Sequence, residues 1–127
     1  MIIAVDFDGT VVRHAYPLVG EELPLCVKTL QELVAAGHSL ILFTMRHEKE
    51  LQDAVDWYAK HEIPLWGINE NPIQKGWTTS PKPYAHILID DTALGCPLVF
   101  PEDDSRPHVN WAEVRRMTLK IRRKVEP

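Results

Sequence analysis

Short apolar runs alternate with longer amphipathic segments along most of this chain. Continuous apolar runs of this length are typical of parallel strands, which are covered on both faces and have no solvent-facing side. The predicted strands are residues 2–6, 39–44, 63–68, 84–90 and 97–100. The pattern therefore predicts an α/β fold, with a mostly parallel sheet and helices on both faces.

Three amphipathic segments are predicted to be helices. The first, residues 24–36, repeats apolar residues at spacings of three and four and stops at Gly37, a residue that favours a helix C-terminus. The second covers residues 47–61. The last, of about fourteen residues, begins at Asn110, which forms a capping-box pattern with Glu113 three positions later.

Length and composition favour a single domain over residues 1–127. The net charge of −4 gives no general attraction to nucleic acid or to a membrane surface, and no apolar run approaches the roughly 18 residues of a membrane span. Cys26 and Cys96 have neither metal-site nor redox-motif spacing, which favours reduced thiols. We therefore expect a cytoplasmic protein.

Two acidic pairs follow two of the apolar runs. Asp6 and Asp8 lie two residues apart after the first run, on the same side of an extended chain, and Asp90-Asp91 follows the fourth. Carboxylates held this close repel one another, so the arrangement predicts a bound divalent cation or a raised pKa. Because the carboxyl ends of parallel strands meet at one edge of the sheet, we expect the two pairs and Thr44 to lie together there.

These features resemble the four motifs of the haloacid dehalogenase-like (HAD) superfamily of magnesium-dependent phosphohydrolases. The motifs, in the order the family has them, are Asp6-Phe7-Asp8-Gly9-Thr10, Thr44, Lys82 and Asp90-Asp91. The likeness spans residues 2–91 and implies a Rossmann-like core. It also implies a helical turn and a small β-hairpin over residues 10–20. Neither interval in which larger members insert a cap domain has spare length, so we expect a capless member with an open site.

The resemblance implies a role for each motif residue. Asp6 would be the nucleophile that forms an aspartyl-phosphate, and Asp8 would be the general acid and base. Thr44 would donate its hydroxyl to a phosphate oxygen. Lys82 would screen the negative charge of nucleophile and phosphate, with Lys75 as the competing choice for the third motif.

Metal and substrate ligands are expected at the same edge of the sheet. By resemblance, Mg²⁺ would be held by the Asp6 carboxylate, the Asp8 backbone carbonyl and a carboxylate of Asp90 or Asp91, the choice between these two being open. Further contacts to the substrate or its phosphate are expected from Gly9 and Arg46, and Arg13 and His14 are weaker candidates. For each of the three cationic side chains, a surface position without a function is at least as good an explanation.

The expected function is therefore phosphomonoester hydrolysis through an aspartyl-phosphate, on a phosphorylated small molecule or macromolecule. The alternatives are a phosphotransferase and a phosphate-binding regulatory module or pseudoenzyme on the same fold. A receiver domain is disfavoured, because its phosphate acceptor would follow the third strand and residues 63–69 contain no aspartate. An open site admits a phosphate on a bulky or macromolecular group, or a small sugar or nucleotide phosphate if another subunit covers the site, so a homo-oligomer is a hypothesis.

Overall fold

The computed structural model describes residues 1–121. The strands are β1 (Ile2–Val5), β2 (Ser39–Leu42), β3 (Gly67–Ile68), β4 (Ile87–Ile89), β5 (Leu98–Val99) and β6 (His108–Val109). The helices are α1 (Cys26–Ala35), α2 (Glu48–Lys60) and α3 (Trp111–Leu119), with a short 3₁₀ turn at Gln74–Gly76. This order of elements confirms the predicted α/β fold. Within residues 1–121, every helix is too short or too polar to cross a membrane.

The main sheet has four parallel strands in the order β3-β2-β1-β4. Strand β1 is central, since Ile3 pairs with Leu40 of β2 on one side and with Ile87 of β4 on the other. The last predicted strand is not part of this sheet: β5 pairs with β6 in a separate antiparallel ribbon. The carboxyl ends of β1, β2 and β4 therefore meet at one edge.

The core lies against one face of the sheet. Alternate strand residues, such as Ile3 and Val5 of β1, point into it together with buried side chains of all three helices. The helical contributors to the core are Cys26, Leu30, Leu33, Ala54, Trp57, Tyr58, Trp111 and Val114. On the opposite face, Ala4 and Leu88 line a groove bordered by residues 74–86. Three prolines in residues 69–86 disfavour an α-helix in this connection, which forms only the short 3₁₀ turn.

Helix boundaries follow the predicted signals closely. Gly37, with φ +94°, follows the end of α1. The Asn110 side chain accepts a hydrogen bond of 3.2 Å from the Glu113 amide, as the capping-box pattern predicts. Helix α3 has nine residues instead of the predicted fourteen or so, and residues 122–127, into which the prediction extends, lie outside the described part.

The segment after β1 forms the predicted turn and hairpin. The amides of Thr10 and Val11 donate to the Phe7 carbonyl at 3.0 and 2.9 Å, which closes the turn. Val12 then forms an antiparallel bridge with Glu22. This compact hairpin occupies the interval in which a larger protein of this architecture would have room for an inserted domain.

Both cysteines are free thiols, as expected. Cys26 is buried in the core, and burial raises the pKa of its thiol well above the ordinary value. Cys96 is half-buried, and burial also raises its pKa. Both pKa shifts keep the thiols protonated and unreactive at neutral pH.

A substitution at Leu30 tests the packing of α1 against the core. Its side chain is fully buried in the core, so Leu30→Ala should lower the free energy of unfolding by about 3 kcal/mol. Leu119→Ala, at a helical position 62% exposed, is the matched control and should change the stability by less than about 0.5 kcal/mol. Urea unfolding followed by circular dichroism gives both values, and equal small losses would contradict the placement of α1.

Candidate active site

Three carboxylates converge at the carboxyl edge of the sheet. Asp6 follows β1, and Asp90 and Asp91 follow β4. One carboxylate oxygen of each lies within 4.8 Å of the other two. The Asp6 amide donates to the Ile89 carbonyl at 3.0 Å, which extends the β1–β4 pairing as far as the site. The structure thus brings together the three aspartates that the sequence predicts as metal ligands.

Thr10 connects two of these carboxylates. Its buried hydroxyl donates to Asp6 Oδ2 at 3.0 Å and accepts from the Asp91 amide, also at 3.0 Å. The Trp111 indole N–H donates to the Thr10 carbonyl at 2.5 Å and so anchors the turn to α3. Thr10 belongs to the first motif, but its link between the two acidic pairs depends on the tertiary fold and was not predicted.

The two aspartates after β4 have different surroundings. Asp91 Oδ2 lies 3.1 Å from His14 Nε2, so a side chain of the hairpin contacts the cluster. Asp90 Oδ1 accepts two hydrogen bonds from Thr92, one from its amide and one from its hydroxyl. Among residues 1–121, Asp90 Oδ2 has no hydrogen-bond donor, which leaves it available to a cation.

The repulsion within the cluster and its burial are reflected in the pKa of Asp6. Burial, the negative charge of Asp90 and a hydrogen bond to Asp91 together raise the pKa of its carboxyl from 3.8 to about 7, against the opposing hydrogen bonds from the Phe7 amide and the Thr10 hydroxyl. The raised pKa is one of the two outcomes that the sequence predicts for this arrangement. A divalent cation among the three carboxylates would offset the same repulsion.

The second motif aspartate is paired with arginine. Arg46 Nε and Nη2 each donate to a different oxygen of Asp8 at 2.8 Å, in a bidentate ion pair. The Arg46 side chain is only 1% exposed, and its guanidinium lies over the rings of Phe7 and Tyr16 at 5.0 and 5.2 Å. The Asp8 carboxylate is therefore held apart from the cluster formed by the other three aspartates.

Arg46 has no N–H left for a substrate in this arrangement. Besides Asp8, its guanidinium donates to the carbonyls of Pro17, Leu18 and Glu50, which accounts for all five N–H groups within residues 1–121. In this arrangement Arg46 joins the hairpin, the start of α2 and Asp8, and its predicted substrate contact stays a prediction.

Gly9 also has a different role from the predicted phosphate contact. Its amide donates to the Val12 carbonyl at 2.8 Å and is not directed at the site. Its φ is +78°, and a Cβ at this position would collide with the His14 ring and the Asp91 carboxylate. The structure requires glycine here so that the hairpin can approach the cluster.

Thr44 lies where the sequence predicts, two residues beyond β2. The Thr44 amide donates to Asn69 Oδ1 at 2.8 Å, and the Thr44 hydroxyl oxygen accepts from the Arg46 amide at 3.1 Å. The hydroxyl hydrogen is thereby directed away from Arg46 and remains available to a phosphate oxygen. Asn69, just after β3, was not identified as a site residue, although its place at the same edge of the sheet was a signal.

Both candidate lysines of the third motif are exposed. Lys82 lines the groove that also contains Phe43, the neighbour of Thr44. Lys75 lines a smaller adjoining cavity with Asn69. In the described residues, neither lysine forms an ion pair with the aspartate cluster, so the preference for Lys82 remains a prediction.

Arg46 also provides a test of stability. Arg46→Met should lower the free energy of unfolding by about 3 kcal/mol, because Asp8 and three carbonyls lose a buried partner. The control is Arg116→Met, since Arg116 forms an ion pair with Glu113 in which both side chains are about half exposed. We expect little change for the control. Urea unfolding at neutral pH measures the free energy of unfolding of both variants. A wild-type value for Arg46→Met would disprove the stabilising role of the Arg46–Asp8 ion pair.

Asp6→Asn should stabilise the metal-free protein. A carboxyl whose pKa is raised from 3.8 to about 7 on folding keeps a proton in the native state that the unfolded chain loses, so wild-type stability falls as pH rises through that window. A pKa difference of about three units corresponds to about 4 kcal/mol, so the free energy of unfolding of Asp6→Asn should exceed that of wild type by no more than this above pH 7. Thermal unfolding in chelator at pH 4 and pH 8 tests this, and a difference independent of pH would refute it.

Comparison with known proteins gives one informative match. The chain matches no protein-family model and no curated protein. A solved structure of a conserved protein from Bacteroides thetaiotaomicron shares 33% sequence identity with it and superposes with a TM-score of 0.78. The alignment covers 94% of this chain and 90% of that protein.

Proposed function

This chain belongs to the same family as the conserved protein from Bacteroides thetaiotaomicron, and we propose that it is a magnesium-dependent phosphohydrolase of the HAD superfamily. The observation that carries the proposal is the cluster of Asp6, Asp90 and Asp91 at the carboxyl edge of a parallel sheet. Ligands bind at this edge in open α/β sheets. The cluster also unites the first and fourth motifs of the resemblance.

The proposed nucleophile is Asp6. Thr10 holds its Oδ2 by a hydrogen bond, so we assign the attack on phosphorus to Oδ1. The attack forms an aspartyl-phosphate and releases the alcohol, and water then hydrolyses this intermediate to phosphate. Two steps of this kind each have a lower barrier than the direct reaction.

The cluster fits Mg²⁺, which prefers hard oxygen ligands and tolerates water in its remaining positions. Asp6 and Asp90 would hold it through carboxylate oxygens, with Asp91 or the Asp8 carbonyl as a further ligand. When bound, Mg²⁺ would neutralise negative charge on the phosphate and the nucleophile. The raised pKa of Asp6 supports this assignment, because it arises first from burial and then from the neighbouring charge of Asp90, and a bound cation would offset both.

Asp8 is the proposed acid and base. Arg46 holds both of its carboxylate oxygens at 2.8 Å, which fixes the position of the side chain beside the hairpin. Thr44 would donate its hydroxyl to a phosphate oxygen, and Lys82 would add positive charge from the adjoining groove.

A second candidate function is phosphate binding without turnover. The Arg46–Asp8 pair favours it, since both Asp8 oxygens accept hydrogen bonds from Arg46 and the carboxylate is held away from the aspartate cluster. Phosphoryl transfer to another alcohol would use the same residues as hydrolysis. Turnover measurements separate these functions.

The deciding experiment is phosphate release from sugar phosphates, nucleotides and phosphopeptides, with Mg²⁺ and with chelator. We expect release that depends on Mg²⁺ and that Asp6→Asn lowers by on the order of 1000-fold or more, because the nucleophile is lost. Asp104→Asn is the control, since Asp104 is an exposed loop residue remote in sequence from the motifs.

Three outcomes would contradict the proposal in different ways. Hydrolysis retained by Asp6→Asn would exclude the assigned nucleophile. Release that is equal in chelator would exclude the metal. Mg²⁺-dependent binding of phosphate compounds with no release from any of them would favour the binding module.

A further inference from the structure

A groove of about 770 Å³ extends along the face of the sheet opposite the core. Its floor includes Ala4 and Leu88, and its walls include Trp77, Lys82 and Tyr84. This volume is typical of pockets for organic ligands. Neither the three clustered aspartates nor the hairpin lines the groove, and Lys82 is the one residue assigned to the phosphate that the groove's lining contains.

Aromatic rings dominate one wall. Trp77 and Tyr84 meet edge to face with centroids 6.1 Å apart, and Tyr84 meets His86 in the same way at 5.2 Å. Trp77 is 59% exposed and Tyr84 is 49% exposed. Two large rings that stay half in water within one concave surface offer stacking area to a flat ligand.

Buried amides make this wall rigid. Gln74 donates to the carbonyls of Ser80 and Lys82 and accepts from the Tyr84 amide at 2.7 Å. Asn71, only 2% exposed, donates to the Tyr84 carbonyl at 3.0 Å. These bonds fix the backbone on either side of Pro83, so little conformational entropy is lost when a ligand binds.

One end of the groove lies next to the residues assigned to phosphate, while Tyr84 and His86 lie toward the other end, where the His86 amide donates to the Ile2 carbonyl at 2.8 Å. Phe43 lies in its wall, directly before Thr44, and its amide donates to the Val5 carbonyl at 2.8 Å, directly before Asp6. Lys82 supplies a cation in the same wall. An aromatic surface beside a cation and a phosphate site complements a phosphate ester whose alcohol carries a flat ring.

We propose that the groove binds the leaving group of the substrate and that this group contains a planar aromatic ring, as in a nucleoside monophosphate. The proposal rests on the function proposed above and adds the class of substrate. The reaction would break the bond between phosphorus and the ester oxygen. Water would supply a hydroxyl to phosphorus and, through the protein, a proton to the released nucleoside.

The test compares adenosine and uridine monophosphates with ribose-5-phosphate, which has the same sugar phosphate and no base. Wild type should show a kcat/KM at least about tenfold higher for the nucleotides, as expected from the loss of one stacking interaction. Trp77→Ala should bring the ratio close to one, and Trp77→Phe, which keeps a ring, should preserve most of it. Phe100→Ala removes an exposed ring outside the groove and should leave the ratio as in wild type.

Binding measurements separate this inference from the proposed function. Titration calorimetry with adenosine monophosphate and ribose-5-phosphate gives dissociation constants for wild type and Trp77→Ala whether or not turnover occurs. Preferential binding of the nucleotide, lost in Trp77→Ala, would support the groove even without hydrolysis. Hydrolysis of both compounds at equal rates, unaffected by Trp77→Ala, would overturn the groove and leave the phosphatase intact.

Two further results would overturn the inference. One is equally weak binding of nucleotide and sugar phosphate by wild type. The other is a dimer in light scattering that Trp77→Ala converts to monomers while the nucleotide preference is absent, which would assign the rings to a second copy of the chain.

Discussion

Two backbone hydrogen bonds at the end of β1 organise the whole site. The Phe43 amide bonds to the Val5 carbonyl, and the Asp6 amide bonds to the Ile89 carbonyl, so sheet pairing continues on both sides of β1 beyond its last residue. The residues that follow these bonds are Thr44, Asp6 and Asp90. Their positions are therefore set by the rigid centre of the sheet and not by loop conformation, which is the support that a reactive cluster needs.

The sequence predicts which residues lie at this edge of the sheet, but not which residues hold them in place. Apolar runs that end in polar residues identify strand ends, and the parallel topology then brings Asp6 and Asp90 together. Arg46, Asn69 and Gln74 bond to residues 10 to 38 positions away, and no local pattern encodes such partners. Arg46 was accordingly predicted as a substrate contact, although its burial makes it a structural link between Asp8 and the hairpin.

The connection between β3 and β4 contains no α-helix for a local reason. Residues 69–86 connect β3 to β4, where a helix would complete the cover, but Pro72, Pro81 and Pro83 restrict the backbone and remove amide donors. Buried side-chain amides replace the missing helical hydrogen bonds. Because this connection is not helical, it leaves the face of the sheet open. The groove is therefore a direct consequence of the proline content of residues 69–86.

Charge is distributed unequally over the four motif aspartates. Arg46 compensates Asp8 through a nearly inaccessible bidentate pair, whereas Asp6, Asp90 and Asp91 share only hydrogen bonds from hydroxyl, amide and imidazole groups. The cost of clustering carboxylates rises as water is excluded, and burial together with the charge of Asp90 accordingly raises the pKa of Asp6. Under the proposed function, arginine compensates the aspartate that would move protons, and a metal would compensate the other three.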